Sequence, residues 1–229
     1  IIHNQPQMIA QLTSKGIEIK ENFNDQKNAV TFMVKNGLES LLKKYVDKGF
    51  SLNRSTPEAP NLLFVAVANN QEKISAYLIE KGISVNEINQ NNTSCFQIAL
   101  NNKNKNIMKL ILNSGGKVGV NEAIQYGDLE LLKKSFKEFK ENGGSTYKQN
   151  FLHCAVESEN IDAAKFLLEN GLGENDKNEI GFTPLYLSLK LKNEKMAELL
   201  ISNGAKIFDK YNDMKPEIWR LASDNGFTN

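Results

Sequence analysis

The sequence predicts an all-α fold, a solenoid of stacked antiparallel helix pairs that are joined by β-turn or hairpin loops. A glycine recurs every 33 residues at Gly16, Gly49, Gly82 and Gly115, and again at Gly171 and Gly204 after one interval of 56 residues instead of 66. A short apolar stretch precedes these glycines, as in the run from Tyr77 to Lys81. Repetition at a fixed period of this length indicates similar structural repeats, none of which buries its apolar face alone.

Each repeat is expected to contain a first helix with a small residue and a second helix that ends at the glycine. The pair Thr183-Pro184 is a good helix start, because threonine caps free amides and proline loses no hydrogen bond in the first turn. An alanine, which allows close helix approach, stands 16 residues before the glycine in the pairs Ala66 and Gly82, Ala99 and Gly115, and Ala155 and Gly171. Leucine, isoleucine and valine at i, i+3 and i+4 form the buried stripe of the second helix, and glycine ends it in a left-handed conformation.

This alignment treats residues 1–229 as a single array of about six helix pairs with a partial repeat at each end. The second helices are predicted at residues 38–48, 72–81, 106–114, 128–140, 161–170 and 194–203. Residues 1–16 are expected to supply the end of a preceding repeat. Residues 211–229 are expected to supply one more first helix, around Trp219, Leu221 and Ala222.

The spacing breaks once, because Ala123 follows Ala99 after only 24 residues. About nine residues are therefore missing relative to the repeat length, and they correspond to the projecting β-turn, so one hairpin is predicted to be absent near residues 113–121. The array is expected to bend or loosen over residues 113–150, with a lysine-rich second helix after the break. Two interpretations stay open: neutral erosion of the repeat, or a groove shaped for a partner.

The repeat resembles the ankyrin repeat, whose motif is Thr-Pro-Leu-His-x-Ala followed by two antiparallel helices. The run Thr183-Pro184-Leu185-Tyr186-Leu187-Ser188 has tyrosine where the family has histidine and serine where it has alanine. The run Leu152-His153-Cys154-Ala155 lacks Thr-Pro but keeps the histidine and alanine. The resemblance covers essentially the whole chain, and it implies that His153 hydrogen-bonds between adjacent loops.

The composition restricts the partners and the compartment. The chain is 40% hydrophobic and 24% charged with a net charge of +1, which gives no electrostatic reason to expect a nucleic acid or an acidic membrane surface as partner. No apolar run approaches the roughly 18–20 residues that span a bilayer. Cys95 and Cys154 lie in different repeats, which favours a reducing, cytoplasmic location over a disulfide framework. Because the sequence begins without methionine or a signal-peptide pattern, we expect a piece of a longer protein.

The residues that could carry chemistry do not form a site in the sequence, so we expect no enzyme activity, no metal and no cofactor. His3 has no second histidine or cysteine nearby to complete a zinc site. Cys95 and Cys154 are expected to be small, partly buried side chains, and no base is placed to activate either thiol. The segment Gly115–Gly119 lacks the serine or threonine and the preceding strand of a phosphate loop. We interpret the many asparagines as coding bias or as a polar surface.

The resemblance implies a non-catalytic scaffold that binds another protein or a peptide on its concave, loop-tip surface. In that family the contacts come mainly from the turn tips and the exposed end of the first helix. The corresponding residues here are Gln90, Asn91, Thr93, Asn101, Asn102, Thr146, Tyr147, Gln149, Glu157, Ser158, Glu179, Ile180, Phe182, Lys190 and Leu191. Of these, Phe182, Tyr147 and Leu191 are expected to matter most, and the alternative for them is packing against a neighbouring loop.

Two other functions stay open. The chain is alternatively the targeting arm of a multidomain enzyme, of a channel or of a secreted bacterial effector, which would place it in the host-cell cytosol. A small-ligand or nucleotide sensor would require a basic, aromatic-lined face, and the sequence shows no such clustering.

Overall fold

The computed structural model describes residues 30–49, 52, 61–145, 150–206, 220, 222–224 and 226. The chain divides into two compact units, Ile1–Lys117 (unit 1) and Val118–Asn229 (unit 2). The boundary falls inside the segment 113–121, where the sequence predicts a missing hairpin. The bend predicted over residues 113–150 stays a prediction.

Unit 1 consists of helix pairs that stack in series. Its helices are α1, helical through residues 30–35, α2 (Glu39–Asp47), α3 (Leu62–Ala68), α4 (Glu72–Glu80), α5 (Cys95–Asn101) and α6 (Lys105–Asn113). Helix α3 packs against α4 within one repeat and against α5 of the next, while α4 packs against α6. The first helices therefore form one layer and the second helices form another.

Unit 2 repeats this arrangement. Its helices are α7 (Val120–Tyr126), α8 (Leu129–Glu141), α9 (Phe151–Glu157), α10 (Ile161–Glu169), α11 (Pro184–Lys190) and α12 (Glu194–Ser202). Helix α9 contacts α7 and α11 in the layer of first helices, and α10 contacts α8 and α12 in the layer of second helices. Residues 220 and 222–224 are also helical, and Ala222 is fully buried.

The predicted all-α fold of stacked helix pairs is confirmed, and the six second helices lie within two residues of their predicted bounds. In the part of the chain that the structure describes, the only β-pairing is an isolated bridge between Ile88 and Ser94. The partial repeat predicted at residues 1–16, and the predicted helix residues Trp219 and Leu221, lie outside the described residues.

The small residue of first helices α3, α5, α7, α9 and α11 is buried. Ala66, Ala99, Ala123 and Ala155 are all completely buried. Ser188 occupies the same position in α11, where its buried hydroxyl donates a hydrogen bond to the carbonyl of Leu185 at 2.8 Å. A polar group can therefore replace alanine there only because its hydrogen bond is satisfied within the helix.

Glycine closes the second helices in the left-handed conformation, also as predicted. At the end of α4, Gly82 has φ +85° and donates to the carbonyl of Ile79, while Ile83 donates to the carbonyl of Leu78. These two bonds satisfy carbonyls that would otherwise have no partner at the helix end.

A second left-handed position, which the sequence analysis missed, lies in the turn between the two helices of each repeat. The residues there have φ between +54° and +84°: Gly37, Asn70, Lys103, Gly127, Glu159 and Lys192. Only glycine adopts this conformation without a steric cost, so Lys103, Glu159 and Lys192 hold strained backbone. The glycines and the asparagine at the same repeat position are the signal that could have revealed it.

The missing hairpin is visible as a direct connection. Only residues 114–119 separate α6 from α7, whereas residues 81–94 and 170–183 separate the helices at two other repeat junctions. Helix α7 begins at a short cap in which the Glu122 carboxylate accepts a hydrogen bond from the Gly119 amide at 2.6 Å. The helix that follows, α8, has 13 residues instead of the 9 found in α4 and α6. Its additional turn carries Phe139, whose ring packs edge-on against Phe151 at 5.2 Å.

Two asparagine side chains link successive repeats, so coding bias or a polar surface does not describe these two. Asn86 donates to the Gly115 carbonyl at 3.1 Å and accepts from the Lys117 amide at 2.7 Å. Asn175 makes the same pair of bonds in unit 2, with the Gly204 carbonyl at 3.3 Å and the Lys206 amide at 2.8 Å. Each amide thus satisfies two backbone groups of the next repeat.

The strained turn predicts a stabilising substitution. Lys103→Gly should raise the free energy of unfolding by roughly 0.5–1 kcal/mol, because relief of the left-handed strain exceeds the entropy that glycine adds to the unfolded chain. Gly127→Ala should lower it by about 1 kcal/mol, since a Cβ there meets no atom within 4 Å and only the backbone conformation opposes it. Urea denaturation measures both, and a Lys103→Ala variant that gains as much as Lys103→Gly would contradict the explanation.

The hydrogen bonds of Asn86 and Asn175 predict that replacing either side chain with alanine lowers stability. Asn86→Ala and Asn175→Ala should each lower the free energy of unfolding by about 0.5–1.5 kcal/mol, because hydrogen bonds to two backbone groups of the next repeat are lost and water replaces them at this exposed position. Asn113→Ala is the matched control: Asn113 is an exposed last residue of α6, so this variant should be neutral or slightly more stable. Thermal melts of the three variants, compared with the parent chain, separate the two groups.

Candidate protein-binding surface

Two projecting loops, here called finger 1 (residues 82–94) and finger 2 (residues 171–183), have the same internal hydrogen bonds. In finger 1 the Asn89 carboxamide oxygen accepts from the amides of Asn91 and Thr93, both at 3.0 Å. In finger 2 the Asn178 oxygen accepts from the amides of Ile180 and Phe182, at 3.2 and 2.9 Å. The asparagine therefore holds each turn in one conformation, which orders the tip residues before any partner arrives.

Three large apolar side chains are exposed, two in the fingers and one at the end of a first helix. Ile88 in finger 1 is 61% exposed, Ile180 in finger 2 is 67% exposed, and Leu191 at the end of α11 is 46% exposed. Ile180 and Leu191 belong to the predicted set, whereas Ile88 was missed. Its neighbour Asn89 was missed as well, although an asparagine at the same place in both fingers was a readable signal.

Most predicted site residues lie at the surface within their own unit. In unit 1, Gln90, Asn91, Asn101 and Asn102 are exposed and Thr93 is half-buried. In unit 2, Glu157, Glu179, Ile180, Lys190 and Leu191 are exposed, while Ser158 and Phe182 are half-buried. Thr146, Tyr147 and Gln149 lie outside the described residues.

Two of these residues also serve the fold. The Asn102 carboxamide donates to the Val67 carbonyl of the preceding repeat at 3.1 Å. The Phe182 ring lies 4.3 Å from that of Tyr186, measured between centroids, and the Lys190 ammonium lies 5.3 Å from the centre of the Phe182 ring. The Phe182 ring therefore packs against the helix that follows its own finger, which differs from the packing against a neighbouring loop that was the alternative interpretation.

His153 bridges to a neighbouring finger, as the resemblance implies. Its Nε2 donates to the Phe182 carbonyl at 2.8 Å, and the residue is only 4% exposed. Burial lowers the pKa of this imidazole below its ordinary value of 6.5, although the Phe182 carbonyl, Glu157 and Asp176 favour the charged form. The ring is therefore held neutral and acts as a structural link.

The two cysteines are more buried than expected and are unreactive in their surroundings. Cys95 is 1% and Cys154 is 8% exposed, and both are free thiols. Burial raises the pKa of the Cys95 thiol to about 12, with Glu87 adding to the effect, and burial also raises the pKa of the Cys154 thiol. Neither thiol forms the thiolate that nucleophilic chemistry requires at neutral pH.

The remaining features add no chemical site to the described residues. Within them, no group of three or more histidine, cysteine, aspartate or glutamate residues is arranged to hold a metal ion. The lysines of α8 lie on a solvated face, where Lys133 pairs with Glu130 at 2.7 Å and Lys137 with Glu141 at 3.8 Å. None of the described helices has the length and apolar character needed to cross a membrane.

Because the pKa of His153 is lowered, the free energy of unfolding is expected to decrease as the solution becomes more acidic. With its His153 imidazole neutral, the folded chain binds fewer protons than the unfolded chain. The free energy of unfolding therefore decreases as pH falls below 6.5 towards the pKa of His153 in the folded chain. Between about pH 7.5 and about pH 5.5 the loss from this one group should not exceed about 1.4 kcal/mol. His153→Gln should remove that part of the pH dependence in urea denaturation, and His3→Gln, which removes the other histidine, should keep it.

Comparison with known proteins agrees with this architecture. The family model for ankyrin repeats (three copies) matches residues 30–122 and 120–211. A putative ankyrin repeat protein of fowlpox virus is 38% identical over 50 residues, which is 22% of this chain and 36% of the viral protein. The chain thus matches about a third of that relative's length.

A solved structure shows the same fold. The crystal structure of the human ASB11 ankyrin repeat domain superposes with a TM-score of 0.54 at 17% sequence identity, over 84% of this chain and 96% of the human one. With the family model matching most of the sequence and helix pairs stacked in both units, the chain belongs to the ankyrin repeat family.

Proposed function

We propose that this chain is a non-catalytic scaffold that binds a partner protein or peptide through its fingers and the exposed ends of its first helices. Ankyrin repeats are generally protein–protein interaction modules, and their fold is typically non-catalytic. A stack of repeats offers an extended surface whose exposed residues can change while the buried ones keep the fold. The buried thiols and the neutral, hydrogen-bonded His153 agree with this proposal.

The observation that carries the proposal is the placement of exposed apolar side chains. Ile88 and Ile180 lie in the two described fingers, and Leu191 lies at the end of a first helix. Burial of apolar side chains is favourable by roughly 25 cal/mol for each square ångström that is removed from water. A partner that covers them gains this energy, and large side chains in ordered turns lose little entropy on binding.

Polar groups beside these side chains supply directional contacts. In finger 1, Gln90 and Asn91 are exposed, and no hydrogen bond within the described residues engages their carboxamides. In unit 2, the Glu179 carboxylate and the Lys190 ammonium are exposed near the turn tip and the helix end, respectively. We infer a partner surface that combines apolar patches with backbone or amide groups, because carboxamides both donate and accept hydrogen bonds.

We also propose that the chain works in the cytosol, where free thiols persist. Cys95 and Cys154 are single buried thiols in separate repeats, which suits a reducing compartment. Immunodetection in fractions of the source cells tests this assignment, and recovery of the chain in a secreted or organellar fraction would contradict it.

The test of the binding surface is a paired set of variants in unit 2. The double variant Ile180→Ser/Leu191→Ser should weaken partner binding at least tenfold, because two exposed apolar contacts are lost. Its free energy of unfolding should change by no more than about 0.5 kcal/mol, since neither side chain is buried. Partners captured from the source cells by the parent chain would be purified and titrated against each variant by calorimetry.

Two further variants sharpen the result. Lys165→Ser, on the exposed face of α10, is the matched control and should bind as the parent chain does. Phe182→Ala should lower both binding and stability, because its ring packs against Tyr186. If a purified partner binds the double variant and the parent chain equally well, the proposed surface is wrong.

A further inference from the structure

We propose that Asn142–Gly143, at the end of α8, is a site of spontaneous deamidation, and that it reacts faster than the other Asn–Gly pairs in the described residues. These pairs are Asn36–Gly37, Asn142–Gly143, Asn170–Gly171 and Asn203–Gly204. An asparagine before glycine is chemically labile, because no Cβ on the glycine hinders approach of its amide nitrogen to the asparagine side chain.

The reaction needs only water besides the chain itself. The Gly143 amide nitrogen loses its proton to solvent and attacks Cγ of Asn142, which forms a C–N bond and closes a five-membered imide. The side-chain nitrogen leaves as ammonia when its own C–N bond breaks. Water then opens either imide C–N bond, which produces aspartate or isoaspartate at position 142.

Three of the four asparagines are held in the wrong orientation for this attack. The carboxamide nitrogens of Asn36, Asn170 and Asn203 donate to the carbonyls of Phe32, Phe166 and Leu199, at 2.8, 2.7 and 2.8 Å. Each bond directs the side chain back over the preceding helical turn. The carboxamide carbon is thereby kept away from the glycine amide, which lies on the other side along the chain.

Asn142 lacks this restraint. Among the described residues, no atom forms a hydrogen bond with its carboxamide, so the side chain can rotate towards Gly143. Its exposure and surroundings match those of its equivalent in α10: Asn142 and Asn170 are both exposed, and space within 4 Å of an ideal Cβ is empty at both Gly143 and Gly171.

The backbone is matched as well, so the side-chain bond is the main difference. Asn142 has φ −82° and ψ 14°, and Asn170 has φ −92° and ψ 14°. The Gly143 amide donates to the Lys140 carbonyl at 3.0 Å, and the Gly171 amide donates to the Leu168 carbonyl at 2.9 Å. Deamidation at either asparagine must therefore break a similar backbone hydrogen bond. Deamidation at Asn170 must in addition break the hydrogen bond of its side chain.

The product would alter the irregular repeat. Isoaspartate adds a methylene to the main chain directly before the bond from the Gly144 amide to the Phe139 carbonyl at 2.9 Å. An ideal Cβ on Gly144 would clash with the Phe139 ring, so this segment fits closely against the aromatic side chain. A new carboxylate at the carboxyl end of α8 also opposes the helix dipole. Deamidation should therefore loosen the last turn of α8.

The test compares the four sites within one molecule. The folded chain is incubated at mildly alkaline pH, samples are digested, and mass spectrometry with enzymatic methylation of isoaspartate gives a conversion rate at each pair. Asn142 should convert about fivefold faster than Asn36, Asn170 or Asn203, which is the rate equivalent of one ordinary hydrogen bond. An equal or faster rate at any of the other three sites would overturn the proposal.

A second incubation, in concentrated urea, separates folded structure from local sequence. In the unfolded chain the side-chain hydrogen bonds are absent, so the rates at Asn142, Asn170 and Asn203 should converge. If Asn142 keeps its advantage in urea, neighbouring residues and not the missing hydrogen bond cause it, and the proposal fails.

Discussion

Within each unit, the fold depends on the packing of each helix pair against its neighbours, because the helices are too short to be stable alone. The first helices have 7 residues and most of the second helices have 9, whereas isolated helices shorter than about 12–15 residues are marginal in water. The fully buried Ala66, Ala99, Ala123 and Ala155 allow this packing, since a larger side chain would hold neighbouring helices apart. Hydrogen bonds from Asn86, Asn175 and His153 to backbone groups of the next repeat then set the register of the stack.

The repeat with the missing finger keeps this packing by other means. Where residues 114–119 replace a projecting loop, the following second helix gains a turn, and Phe136 on that helix lies 5.5 Å from Phe166 and 6.5 Å from Phe151 between ring centroids. Edge-to-face aromatic pairs contribute about 0.5–1.5 kcal/mol beyond their buried area. The aromatic cluster thus adds packing energy to the lengthened helix, and both interpretations of the break, neutral erosion or a groove shaped for a partner, stay open.

The sequence predicts the fold well because its strongest signals encode local tasks. Gly82 and Gly115 mark helix ends because of their own backbone conformation, and Ala99 marks a helix contact because of its own size. The missed features depend on partners that are distant in the sequence. The composition does not show that Asn86 forms hydrogen bonds with Gly115 and Lys117. It also does not show the left-handed backbone of Lys103, although glycines at the same repeat position, Gly37 and Gly127, indicate it.

The candidate surface was less predictable because exposure within a finger depends on the turn that the finger forms. Asn89 and Asn178 each fix their turn with one carboxamide oxygen, which leaves the tip side chains without a structural task. Ile88 and Ile180 can therefore change without loss of the fold, whereas Phe182, which also packs against Tyr186, cannot change as freely. In the binding surface that we propose, specificity resides in the few residues that the turn geometry leaves free, and a repeat motif that describes the turn carries little information about them.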